Sequence, residues 1–295
     1  MSLRSFLGFI FVVLAAVLWG AFGTLARFFF VSDVVGPLTL LEIRLLLSFG
    51  LLFLYAVFFA PALLRIGRGD VWPLVFFGLG GIGAVQLFYL LTISQTNVAT
   101  AVFLEYLAPV MIALWTALCR RRLPGPLGST AIVLATAGGY LIMRGGHAVA
   151  GLNTAGLLTG LASAAAFAFY SVFGKRLDHL SPWTTLLYGL GIPLIAWSFV
   201  RPPWTALAGH SLWAYGAFFY LALFSTILPF GLFLKGLSIL SPLRAGLTAT
   251  LEPVIAGASA YLVLGEALHT LQLAGAALIL AGVILIQLPA GAADV

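Results

Sequence analysis

The sequence predicts an all-α polytopic membrane protein: ten transmembrane helices forming two inverted five-helix repeats, with both termini cytoplasmic. Three observations carry this expectation. The chain is too apolar to coat itself for water, its apolar residues fall into ten separable runs, and segments about 144 residues apart resemble one another. Of 295 residues, 62% are hydrophobic and 7% charged, against roughly 25% charge in a soluble domain. Such a chain can bury a core but cannot cover one, which excludes a large soluble domain. A spanning helix needs about 20 apolar residues, so ten spans fit with short connections. The net charge of +6 is spread along the chain, which argues against nucleic-acid binding. Cys119 stands alone, so no intrachain disulfide forms, and His147, His179, His210 and His269 lack metal-ligand spacing.

The first span runs from about Phe6 to Arg27. Arg4 would suit the charged start of a signal peptide, but the apolar run reaches Phe30, longer than a normal signal core, and favours an uncleaved helix. The others lie near Pro37–Phe59, Val71–Ile93, Asn97–Leu118, Pro126–Met143, Thr154–Gly174, Pro182–Val200, Ser211–Leu234, Ala245–Leu264 and Thr270–Leu288. Their continuous apolar character, with no period-two alternation, excludes a β-barrel. Counting Lys and Arg in alternate connections gives ten on one side (Arg4, Arg65, Arg68, Arg120, Arg121, Arg122, Lys175, Arg176, Lys235, Arg244) and three on the other (Arg27, Arg144, Arg201). By the positive-inside rule both termini are cytoplasmic.

Leu134–Ile142 (LATAGGYLI) matches Leu278–Ile286 (LILAGVILI) at an offset of 144, and Pro109-Val110 matches Pro253-Val254 at the same offset. Near 148, Trp19-Gly20 falls on Phe167-Ala168 and Arg27 on Lys175. The expected halves are 1–145 and 146–295, with the break near Gly145–Asn153. Five is odd, so the second half enters the membrane from the opposite side, the inverted repeat of many secondary transporters.

Pro109, Pro193, Pro229 and Pro253 lie inside spans, and each removes a backbone hydrogen bond. Pro109 leaves the Glu105 carbonyl without its usual partner and Pro253 that of Ala249; the pair forms either two symmetric hinges or two static kinks. Ionisable groups in the bilayer cost on the order of 3 kcal/mol or more and mark candidate sites. Arg44 and Glu105 lie at nearly equal depth, roughly 10–12 Å from the outer side at 1.5 Å per residue, and are expected to form an ion pair, serving as a gate or fixing packing. Glu42 falls near headgroup depth. Glu252 has no basic residue at its own depth. An unmatched buried carboxylate tends to bind a proton, so Glu252 is a candidate for proton coupling or for meeting a substrate amine; otherwise it is a neutral acid bonded to backbone freed by Pro253.

Trp72, Trp115, Trp183, Trp197, Trp204 and Trp213 lie near span ends, as interfacial anchors do; Trp19 lies mid-span. Gln86 and Tyr89 share a face of the third span. Ser163, Phe167 and Tyr170 form a stripe in the sixth, and Thr248, Glu252, Ile255 and Ser259 one in the ninth. Tyr220 and Ser225 interrupt the eighth. Such faces either bond helix to helix or line a polar cavity, and their clustering favours a cavity. The expected substrate-binding set is Trp19, Gln86, Tyr89, Phe167, Tyr170, Tyr220, Thr248 and Glu252. No HExxH, GxSxG, P-loop or paired aspartates suggest an enzyme; Asp33, Asp70, Asp178 and Asp294 lie outside the spans. Thr136–Tyr140 is glycine-rich but sits inside an apolar span, where it serves close packing.

Leu18-Trp19-Gly20, Arg44, the Glu-x-x-x-Pro run Glu105–Pro109, Glu252-Pro253 and Gly265-Glu266 together resemble the drug/metabolite transporter superfamily, in particular its ten-helix EamA-type bacterial exporters, among them the YddG-type amino acid exporters. The resemblance covers nearly the whole chain. It implies inverted five-helix halves around a cavity lined by the first, third, fourth, sixth, eighth and ninth helices, with the fifth and tenth peripheral. Many members end the fourth helix with an acid like Glu266; here Arg120–Arg122 stand instead. The function expected is an inner-membrane exporter of small metabolites working by alternating access, most readily of apolar or aromatic amino acids. Trp19, Tyr89 and Phe167 would hold the apolar part, and Gln86 and Glu252 the polar groups. Alternatives are multidrug efflux, nucleoside or carboxylate transport, a membrane-embedded enzyme, or a channel, for which the spans carry too few polar residues. The partners expected are a small-molecule substrate and the lipid bilayer, with no nucleic acid, cofactor or metal, in a monomer or homodimer.

Overall fold

A computed structural model describes residues 2–31, 35–121, 123–145, 153–264 and 269–288. The segment 146–152, Gly265-Glu266 and Arg122 lie outside the described residues, as do the side chains of Arg27 and Arg120. The described chain is helical, without strands, and its long helices group into ten rods. They are α1 (Leu3–Val31), α2 (Pro37–Phe59), α3 (Val71–Phe76, Phe77–Gly83 and Ala84–Gln95), α4 (Val98–Glu105 and Ala108–Arg120), α5 (Pro126–Gly145), α6 (Thr154–Arg176), α7 (Pro182–Ser198), α8 (Leu212–Tyr220, Leu221–Ile227 and Leu228–Leu237), α9 (Pro242–Ala249 and Glu252–Leu264) and α10 (Thr270–Gln287). Eight are long and apolar enough to cross a membrane. The other two are α7, with 17 residues, and α9, which is interrupted and carries Arg244 and Glu252.

The helix starts are written locally. Proline opens α2, α5, α7 and α9, where its missing N–H costs nothing and its fixed φ suits the first turn. The side chains of Asn97, Asn153, Ser211 and Ser241 accept from the backbone N–H three residues on, capping α4, α6, α8 and α9. Ser241 and Pro242 together start α9 three residues before the expected Ala245.

The interior irregularities recur 144 residues apart. The middle pieces of α3 (Phe77–Gly83) and α8 (Leu221–Ile227) are both π-helical. In α8, Pro229 has no N–H to give the Ser225 carbonyl and would crowd it in a regular helix; the wider turn absorbs that conflict. In α3 the segment reads FGLGGIG, and its glycines admit α7: a Cβ on Gly83 would lie 2.7 Å from Pro193 Cβ. Pro193 itself sits within a continuous α7. The other recurrence is a break. α4 is interrupted at Tyr106-Leu107 and α9 at Thr250-Leu251, each restarting with a proline at its second residue, Pro109 or Pro253.

The rods pair accordingly: α3 on α6 as α8 on α1, and α4 on α6 as α9 on α1. α5 packs lengthwise against α10, away from the cavity described below. Their backbones touch where neither has a side chain: a Cβ on Gly138 would lie 2.5 Å from the Gly275 carbonyl oxygen, and one on Gly275 would lie 2.5 Å from that of Gly138. The Gly282–Ala131 contact repeats this at 2.9 Å. Small residues allow such approach between helices in lipid.

Gly138→Ala should therefore force α5 and α10 apart, at a cost of about 1–3 kcal/mol, and lower the unfolding temperature in detergent. Gly50→Ala, whose Cβ would meet nothing within 4 Å, should melt like the parent. Equal melting of both variants would show that the α5–α10 contact is not tight.

Candidate functional site

Seven rods meet at one cavity, of about 50 Å³, room for roughly four waters. α1 contributes Trp19 and α2 Arg44; α3 contributes Val85, Gln86 and Tyr89. α4 supplies Glu105, α6 Phe167, α8 Ser225 and Phe230, and α9 Glu252. Arg44 brings α2 into a wall for which the family resemblance implied only six helices. α5 and α10 supply none of these lining residues.

The aromatic wall is a set of tilted and edge-on contacts. Trp19 lies 5.2 Å from Phe230, 5.8 Å from Phe233 and 6.1 Å from Phe167 between ring centroids. These are favourable aromatic geometries, and they place the Trp19 ring mid-span with its neighbours on α6 and α8.

The charged groups are each held by a neutral partner from another helix. Arg44 Nε donates to Thr226 Oγ1 at 3.2 Å, and Nη2 donates to the same oxygen at 3.1 Å and to the Ser225 carbonyl at 3.3 Å. That carbonyl is the one Pro229 leaves open. One turn further along α2, Ser48 Oγ donates to the Ala222 carbonyl at 3.2 Å, so α2 is stitched to the π segment of α8 at two points. Glu105 Oε2 accepts from Ser163 Oγ on α6. Glu252 Oε2 accepts from the Tyr106 hydroxyl at 2.6 Å. Tyr106 lies in the break of α4, and Glu252 opens the second piece of α9, where the helix N-terminus favours a carboxylate. The hydrogen bond thus joins the two breaks. Gln86 is 2% exposed, and neither its Oε1 nor its Nε2 has a hydrogen-bond partner among the described residues.

Of the residues expected from the sequence, Trp19, Gln86, Tyr89, Phe167 and Glu252 line the cavity, with Arg44 and Glu105. The expected Arg44–Glu105 ion pair is corrected: no ion pair between them lies within 4 Å among the described residues, because the guanidinium is drawn to the carbonyl and hydroxyl of the α8 π segment. Three expected binding residues lie elsewhere. Tyr170 is fully buried, stacked on Phe77 and Phe233, and donates to the Phe230 carbonyl. Tyr220 packs on Phe224, before the π segment. Thr248 accepts from Gln287 Nε2 at 3.0 Å and bonds α9 to α10. Glu42 is fully buried in the protein, accepting from Trp197 Nε1 at 2.8 Å with Arg201 Nε 3.6 Å away. Tyr106, Thr226 and Phe230 were not anticipated. Pro229 was the available signal for Ser225–Thr226, since a proline marks the carbonyl four residues back as open. Among the described residues no group of three or more His, Cys, Asp or Glu side chains could hold a metal.

Exchanging the two charges tests the correction. A glutamate at position 44 would face two acceptors, the Ser225 carbonyl and a hydroxyl already used by Leu221. The double exchange Arg44→Glu with Glu105→Arg should therefore express and transport no better than either single variant. Clear recovery in the double variant would place the two charges in direct contact.

The sequence model of the EamA-like transporter family matches twice, over residues 6–144 and 154–288. The chain is 34% identical to the "Uncharacterized inner membrane transporter YicL" of Salmonella typhimurium over 293 residues, 95% of each chain. It is 31% identical to the threonine/homoserine exporter RhtA of Escherichia coli K12 over 265 residues, 89% of this chain and 84% of that protein. A solved crystal structure superposes with a TM-score of 0.73 at 20% identity, covering 97% of this chain and 96% of the other, and shares the fold. With both halves matched and the rods converging on one polar cavity, the chain belongs to the EamA-like transporter family, within the drug/metabolite transporter superfamily.

Proposed function

We propose that this protein is an inner-membrane exporter of small neutral amino acids that works by alternating access. The observation that carries the reading is the chemistry of the cavity: a guanidinium, two carboxyls, an unpartnered amide and an aromatic wall in one small enclosure. A zwitterion with a short side chain suits these groups. Its ammonium would meet Glu252 and Glu105, the Gln86 amide can donate or accept, and the side chain would lie on Trp19, Tyr89 and Phe167. The similarity to RhtA supports an amino acid substrate. The similarity to a threonine/homoserine exporter supports a short side chain over the apolar and aromatic ones expected from the sequence. Loading must widen the enclosure, and the breaks at 106–107 and 250–251 are where its wall can bend; in this reading Pro109 and Pro253 are hinges.

Purified protein in liposomes, offered threonine, homoserine, leucine, phenylalanine and a nucleoside, should move the first two fastest. Movement of the nucleoside with none of the amino acids would overturn the reading. Glu252→Gln can still accept from Tyr106, so the fold should persist, while the loss of the anion should slow threonine transport by about tenfold or more. It should also flatten the pH dependence between about pH 5.5 and 8.5, a range above the ordinary glutamate value. Parent-like rates throughout would remove Glu252 from the mechanism.

In the same reading the halves 1–145 and 146–295 are inverted, ten helices cross the membrane and both termini face the cytoplasm. The twofold family match and the recurrence of the π segments and breaks at an offset of 144 support this. A reporter fused after Gly291 should be active only as a cytoplasmic reporter, and one inserted at Gly146 only as an external one. The same side for both would exclude an odd number of crossings per half.

A further inference from the structure

Arg44 faces the same cavity as two carboxyls, yet its hydrogen bonds go to neutral acceptors. Nε and Nη2 share the single Thr226 hydroxyl, at 3.2 and 3.1 Å, and Nη2 reaches the Ser225 carbonyl at 3.3 Å. Nη1 makes no hydrogen bond among the described residues. The guanidinium is therefore held by long bonds to uncharged groups, with only the Nη1 arm of its planar fork free. A carboxylate could take that fork bidentately, with shorter, charge-assisted bonds about twice as strong as neutral ones.

The other half of the molecule contains a natural control. The π segment of α3, 144 residues before that of α8, packs against α7 through apolar contacts: Cβ atoms on Gly78 and Gly83 would lie 3.0 Å from Ile192 and 2.7 Å from Pro193, and the Phe77 and Ile82 side chains lie against Gly189. No arginine stands there. A π segment in this fold can thus be packed by a neighbouring helix without a guanidinium. On α2, moreover, Ser48 already ties the α8 segment through the Ala222 carbonyl. The bonds of Arg44 are therefore not the sole tie between α2 and α8.

We propose that Ser225–Thr226 is a resting place for the Arg44 guanidinium, and that Arg44 is the subsite for the substrate carboxylate, which draws the guanidinium off Thr226 when it binds. This rests on the reading of the cavity as a substrate site and names which group of the substrate is recognised on the α2–α8 side, opposite in charge to Glu105 and Glu252. Thr226 acts as a positioning residue: it competes with the ligand for Arg44 and so sets how tightly a carboxylate is held.

The test is calorimetric binding to purified protein with two matched probe pairs, threonine against threoninol and propionate against propionamide, in the parent, Thr226→Ser and Thr226→Val. In the parent each carboxylate should bind about tenfold or more tightly than its neutral partner. Thr226→Ser keeps the hydroxyl and should behave like the parent. Thr226→Val removes the competitor and should tighten the carboxylates about fivefold while leaving threoninol and propionamide unchanged. A merely structural Thr226 would instead lower the unfolding temperature in the valine variant and leave the ratio within each pair unaltered, which overturns the proposal. Should the valine variant not fold, the parent ratios still decide: threonine and threoninol binding alike overturns the carboxylate subsite while leaving an amino acid transporter intact. Preference for propionate with no binding of threonine retains the subsite and removes the amino acid reading. Indifference to all four probes removes both.

Discussion

A charge inside a membrane-spanning protein has to find its hydrogen-bond partners within the protein, because lipid offers none. Where Arg44, Glu105 and Glu252 find theirs sets how the central helices stand. Arg44 ties α2 to α8, Glu105 ties α4 to α6, and Glu252 ties α9 to α4 through Tyr106. Each of these bonds crosses between helices, and none pairs two charges with each other. The charged groups of the cavity are therefore held by hydrogen bonds to hydroxyls and a carbonyl.

Backbone irregularity makes such contacts possible. A regular helix in a bilayer satisfies its own carbonyls and offers nothing to a ligand or a neighbour. Prolines at 109, 229 and 253, together with the glycine run of Phe77–Gly83, break that self-sufficiency at four places, two in each half. The positions repeat while the chemistry does not. One π segment receives an arginine and a serine and the other a proline and an isoleucine; one break presents Tyr106 and the other Glu252. A repeated backbone with unlike side chains yields a cavity whose two sides differ in charge, as recognition of an asymmetric small molecule requires.

The peripheral pair α5 and α10 shows the opposite economy. It has no polar group to place in the cavity, and its interface is made by the absence of side chains at Gly138, Gly275 and Gly282. Lipid tails give no hydrophobic drive to bring helices together, so close backbone approach and dispersion hold the pair.

The sequence by itself determined the class, the apolar rods, the family and most of the cavity. Hydropathy, local caps and buried charge are properties of a residue and its near neighbours, and they survive any packing. Gln86 and Tyr89 were legible as cavity residues because both lie on the regular piece Ala84–Gln95, where helical spacing holds. Thr248 and Glu252 were read as one stripe of one helix. The break at Thr250-Leu251 rotates the two pieces, sending Thr248 to Gln287 of α10 and Glu252 to the cavity. Tyr170 keeps the face of Phe167 but reaches past the end of the cavity, between Phe77 and Phe233. Only tertiary structure could decide which acceptor Arg44 takes and that Tyr106 meets Glu252. Both are contacts between residues more than 140 positions apart, made at points where the helix period that links sequence to direction has been interrupted.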